Sequence, residues 1–158
     1  PVYDIINQFG VDVQYTRDAW LWKFEGIVRE GQDDTFGAVT AGFEYTFFGL
    51  GNSDVDLGIL AEWLYDSRGK DGPSSFDNDV FIGARLAPND VQGTQLLVGA
   101  IVDPDTLATY ATIEGSRRIR SNWRMTVEGR FFANVPRSDP NVAIEQDSYI
   151  EIGLDYFF

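Results

Sequence analysis

Apolar and polar residues alternate with a period of two along most of this sequence, and few folds accommodate that pattern over long runs. The clearest run sets Val55, Leu57, Ile59, Ala61, Trp63 and Tyr65 against Asp54, Asp56, Gly58 and Glu62. Neighbouring side chains on a strand point to opposite faces, so each such run is a strand with one apolar face. Comparable runs are Phe9–Tyr15, Trp20–Val28, Val39–Phe47, Val80–Leu86, Leu96–Val102, Leu107–Ile113, Trp123–Phe131 and Ile150–Phe158. Turn residues separate them, and no segment of useful length has a helical period. About nine strands result, in one all-β domain over 1–158 with up-and-down antiparallel connectivity.

Each run is roughly 10–13 residues, enough to cross a bilayer at a steep tilt, whereas strands of soluble domains are about half that. Mean hydropathy is −0.19, an uninformative average for a membrane barrel, in which lipid-facing and lumen-facing residues cancel. No stretch approaches the ~18 uninterrupted apolar residues of a membrane helix. Periodicity alone leaves two arrangements open: a soluble sandwich with a polar outer face, or a transmembrane barrel with its apolar face toward lipid. Side-chain chemistry favours the barrel. The polar faces hold Glu, Arg, Thr, Tyr and Gly, and the chain has two Lys, where a solvent-facing surface would carry many. Tyr15, Trp20, Trp22, Tyr45, Phe47, Trp123, Tyr156 and Phe158 fall at one end of their strands, and Trp63 and Tyr65 at the other. Interfacial aromatic belts sort in this way.

Lys23, Glu25, Glu44, Glu62, Arg85, Glu114, Arg124, Glu128, Arg130 and Glu151 lie on the polar faces, most of them near strand middles. Charge at the height where a bilayer is thickest reads as a hydrated lumen, so these are the candidate lumen-lining residues. Six are acidic and four basic, a mildly acidic lining.

The chain carries 12 basic and 25 acidic residues, a net charge of −13. That balance argues against nucleic acid, which requires a basic face. There is no His and no Cys. Without His, Ser-His and Cys-His nucleophilic sites and most transition-metal sites are removed. Accordingly no enzymatic activity, metal or cofactor is expected. Asp54 and Asp56 share a strand face but read as a turn exit beside Asn52 and Ser53. The acidic, Gly/Pro-rich segment 66–78 matches no calcium-loop spacing and reads as a surface loop.

The last run, Ile150, Ile152, Leu154, Tyr156 and Phe158, resembles the C-terminal signature of bacterial outer-membrane proteins: a terminal aromatic, alternate apolar residues and Tyr third from the end. The resemblance implies that Tyr156 and Phe158 are read by the barrel-assembly machinery, with Phe158 at the periplasmic side. Counting back, 135–141, 66–78 and 30–34 face outward, and 117–122, 87–91, 49–53 and 16–18 face the periplasm. Long loops oppose short turns, as in these barrels, although 102–106 is short for an outward loop. Nine strands would start the first strand outside, whereas single-chain bacterial barrels have even counts. One or more strands before Pro1 are therefore expected, with a miscounted strand or an eight-stranded barrel behind a short tail as the alternative. The runs Asp18–Glu25, Gly42–Gly49 and Glu114–Arg118 also look like segments of uncharacterised porin-like proteobacterial proteins.

The expected function is that of a passive porin-like diffusion channel in the bacterial outer membrane. Its expected partners are membrane lipid, lipopolysaccharide and the assembly machinery, with small solutes or ions as cargo. The alternative is a small closed structural or adhesive barrel with ligand-binding outer loops. Strand number separates the two, because side chains fill a barrel of about 8–10 strands and leave a channel in one of about 12 or more.

Overall fold

The computed structural model describes residues 5–31, 35–137 and 139–158. The expected outward segments 30–34 and 135–141 thus lie partly outside the described residues, at 32–34 and 138, as does the start of the chain at 1–4. Among the described residues, nine strands form one antiparallel sheet in chain order. They are β1 (Asn7–Arg17), β2 (Trp20–Glu30), β3 (Phe36–Phe47), β4 (Asp56–Asp66), β5 (Asn78–Ala87), β6 (Gln95–Val102), β7 (Thr109–Arg120), β8 (Trp123–Ala133) and β9 (Tyr149–Tyr156). Each strand pairs with its successor, and β1 and β9 are not paired with each other, so the sheet is open. Three short 3-10 helices, Leu50–Asn52, Gly69–Asp71 and Pro140–Ile144, sit in the connections.

The strands follow the alternating runs, but β6 and β9 are eight residues long, short of the roughly 10–13 expected, and β7 departs at both of its ends. Leu107 stands outside β7 because it occupies a left-handed turn (φ 61°). That turn is closed by Leu107 N–H on the Asp103 carbonyl (2.9 Å) and Asp103 N–H on the Ala108 carbonyl (3.0 Å). At the other end β7 continues to Arg120, so the expected turn over 117–122 shrinks to Ser121 and Asn122. A register shift between Arg118 and Arg120 interrupts the β7–β8 ladder there. The connections differ at the two ends of the sheet. One end carries 18–19, 48–55, 88–94 and 121–122; the other carries 31–35, 67–77, 103–108 and 134–148, including the two longest.

A period of two, locked by register, sends every apolar run to the same face. Val13 opposes Phe24, Phe24 opposes Ala41, Ala41 opposes Trp63, and Ala61 opposes Ile82. The row continues through Ala100, Ala111 and Phe131. This apolar face is the exposed one: Ile82 is 60% and Ile152 73% accessible, and the buried hydrophobic residues among those described are Phe36, Ala108 and Val135. A soluble sheet buries such a face against a second layer. Here no second layer is present among the described residues.

The aromatic residues sorted by strand end meet one another on that face. Trp20 stacks on Trp22 at 5.3 Å and lies 4.7 Å from Tyr45, which in turn contacts Phe47 at 4.7 Å. Trp123, Tyr156 and Phe158 continue the belt at the same end, at 5.0 and 6.4 Å. Trp63 and Tyr65 stack at 5.4 Å towards the long-loop end. Centroid spacings of this size are those of favourable ring pairs.

Candidate functional site

The opposite face carries the charge. Lys23, Glu25, Glu44, Glu62, Arg85, Glu114, Arg124, Glu128, Arg130 and Glu151 all share it, as the registers of β2 to β9 require. Among the described residues, seven of the ten are drawn into ion pairs and three are not.

Two of the pairs span an intervening strand by crossing a glycine. Lys23 on β2 and Glu62 on β4 both oppose Gly42 of β3, and their Nζ and Oε1 atoms meet at 3.4 Å. A Cβ on Gly42 would fall 2.5 Å from Glu62 Cγ. Glu44 on β3 reaches Arg85 on β5 across Gly58 of β4, where a Cβ would stand 2.7 Å from Glu44 Oε1. Glu44 is 6% accessible. A carboxylate so sheltered is tolerated because a guanidinium answers it. Sequence alternation placed these four residues on one face. It gave no sign that glycines on β3 and β4 would let side chains two strands apart touch.

On β7 to β9, Glu114, Glu128 and Glu151 oppose one another in a single row. Like charges directly opposite are destabilising. Arg130 relieves the first two, with Nη2 2.9 Å from Glu114 and 3.4 Å from Glu128, and it also hydrogen-bonds Thr112. Tyr149 donates its hydroxyl to Glu128 at 2.8 Å. Among the described residues, Glu25, Arg124 and Glu151 have no ion-pair partner within 4 Å. With six acids and four bases in the set, the face keeps a mildly acidic excess. A depression of about 470 Å³ lies along it, walled by Arg85, Gln95, Glu114, Thr126, Glu128 and Glu151.

Sequence reasoning missed a second polar group at the long-loop end. Asp79, the second residue of β5, is fully buried, and its Oδ1 has no hydrogen-bond partner among the described residues. Its other oxygen accepts the Asn78 amide at 3.2 Å, and Asp103 and Asp77 are its acidic neighbours. Asp103 itself is well supplied. It accepts the amides of Asp105 (2.7 Å) and Thr106 (3.2 Å) and the Thr106 hydroxyl (2.6 Å). Burial opposes its charge, but the Thr106 hydroxyl and the two amides outweigh it and hold the carboxyl below its ordinary value. At the opposite end of the sheet the Thr94 hydroxyl and amide likewise lower Asp90. The alternation carried one clue to Asp79: it directly precedes Val80 and so falls on the polar face.

Among the described residues, no group of three His, Cys, Asp or Glu side chains is placed to hold a metal ion. Among the same residues no helix is long and apolar enough to cross a membrane, which says nothing of crossing by strands. Tyr156 and Phe158, the expected assembly signal, extend β9 along the apolar face and touch each other. No protein-family model, curated protein or solved structure matches the chain.

Proposed function

We propose that this chain forms the wall of a bacterial outer-membrane β-barrel that works as a passive, porin-like diffusion channel with a charged, mildly acidic interior. The observation that carries the reading is the inverted exposure of the sheet. Its large apolar side chains stand exposed on one face, and charged side chains pair on the opposite one. Burying a hydrophobic side chain is worth about 1.5–3 kcal/mol, and soluble monomers rarely leave a contiguous apolar face exposed over strands of 8–12 residues. Lipid supplies what water does not, and the aromatic belts at both strand ends fit its two interfaces.

Closure follows from the same physics. The free edges of β1 and β9 carry backbone N–H and C=O groups that hydrocarbon cannot satisfy. Nine alternating strands leave β1 and β9 running in the same direction, so an all-antiparallel barrel takes an odd number of further strands between them. In this reading β9, with Tyr156 and Phe158 on its apolar face, is the strand offered to the assembly machinery, and lipid and lipopolysaccharide surround the finished wall.

The strand-spanning ion pairs favour one competitor, a closed structural barrel whose lumen is filled by its own salt bridges. Planar-bilayer recordings of the full-length protein separate the two. A channel gives stepwise conductance with a preference for cations over anions, the preference expected of a lining with six acids and four bases. Conductance no greater than that of a protein-free bilayer overturns the channel and leaves the filled barrel.

A further inference from the structure

We infer that Arg118 and Arg124 form a binding site for a small organic anion, a carboxylate or phosphate joined to an apolar body, at the aromatic-rich end of the polar face. Four of the chain's 12 basic residues fall between positions 117 and 124, in a protein whose net charge is −13. Arg117 turns to Asp90 at 3.9 Å. Arg118 and Arg124 are different: they oppose each other directly across β7 and β8, and neither has an ion-pair partner within 4 Å among the described residues. Two guanidiniums face to face repel. Asp155 is the carboxylate in register with Arg124, on β9, so one acid answers two bases there.

The surroundings hold this arrangement in place. The Arg118 amide donates to the Gln92 carbonyl at 3.0 Å, which ties the 88–94 connection to β7 beside the pair. The Phe157 amide donates to the Asn122 carbonyl (2.8 Å), and the Asn122 side chain donates to the Phe157 carbonyl (2.7 Å). Together these ties wall a cavity of about 320 Å³ lined by Gln92, Arg118, Ser121, Arg124 and Phe157. The β7 irregularity between Arg118 and Arg120 falls at this point, and bulges commonly re-aim side chains beside functional sites.

Two planar guanidiniums beside a single acid leave N–H forks that match carboxylate and phosphate oxygens. Phe157 adds an apolar wall, which favours an anion with a hydrophobic body over a bare inorganic one. The site rests on the reading that the polar face meets water, and it would sort anionic solutes at one mouth of the proposed channel.

Phenyl phosphate titrated into the detergent-solubilised full-length protein, followed by calorimetry, tests the site without any conductance. Wild type should bind saturably, inorganic phosphate should bind more weakly, and benzylamine should not bind. Combined Arg118→Gln and Arg124→Gln should weaken phenyl phosphate about tenfold or more, the loss expected for charge-assisted hydrogen bonds. Asp155→Asn removes the competing acid and should tighten it, so a folding failure of the double variant does not rescue the proposal. Absence of saturable binding by wild type, or binding indifferent to both changes, overturns it. Binding without conductance would remove the channel and keep the site; conductance without binding would do the reverse.

Discussion

Lys23 on β2 meets Glu62 on β4 at 3.4 Å by passing over Gly42 of the strand between them. The contact ties three strands with one ion pair. It also makes a glycine, which contributes no charge, a condition of the charged face.

Gly42→Ala is expected to destabilise the sheet by about 1–3 kcal/mol, because the new Cβ overpacks a site that has no slack. Both a Glu62 side-chain carbon at 2.5 Å and the Glu62 Cα at 2.8 Å stand in its way. Gly37→Ala on the same strand is the comparison, since its Cβ would find ordinary contacts at 3.6 Å or more. Urea midpoints of the two variants in detergent should separate clearly, with Gly37→Ala at or slightly above wild type. Equal midpoints would remove the crossing as a structural requirement.

Ile82→Arg places a charge in the middle of the apolar face, on a central strand. If that face meets hydrocarbon, the substitution costs about 2–4 kcal/mol in lipid vesicles. The same residue is 60% accessible, so in water the change would be nearly neutral. Thr126→Arg on the polar face is the control and should be tolerated. Stability of Ile82→Arg equal to that of wild type in vesicles would contradict lipid exposure.

Alternation made the strands and both faces legible because period two is a local property, and register turns it into a global one. Val13, Phe24, Ala41 and Trp63 are each readable from their own neighbours as belonging to an apolar face, and pairing aligns them on one side of the sheet. The candidate site was legible to the level of a face and no further. That Arg130 would bridge Glu114 and Glu128, or that Glu44 would be sheltered under Arg85, depends on side chains from different strands at one height. The burial of Asp79 is not a local property of the alternation, and an apolar Leu107 in step with that alternation conceals a left-handed turn.

That turn yields a sharper test. Leu107 has φ 61° and is 60% accessible, so it bears left-handed strain with little burial in return. Leu107→Gly should stabilise the protein by about 0.5–1 kcal/mol, since the strain relieved, roughly 1–2 kcal/mol, exceeds glycine's added chain entropy. A lowered urea midpoint would show that the leucine side chain has a role beyond the turn.

Asp103 governs the other half of the same turn. Its carboxylate accepts two amides and a hydroxyl, and Asp103→Ala should cost about 1–3 kcal/mol by leaving those donors unanswered. The folded carboxyl titrates below its ordinary value, so the unfolded chain takes up the proton first as pH falls. The stabilisation is therefore complete above about pH 4, the ordinary aspartate range, and is lost as the pH drops through the lowered folded value. Wild type should lose stability on acidification over that range more steeply than Asp103→Ala, and the two curves should converge at the acid end. Parallel curves from neutral pH to pH 2 would mean that the charge of Asp103 contributes nothing to the turn.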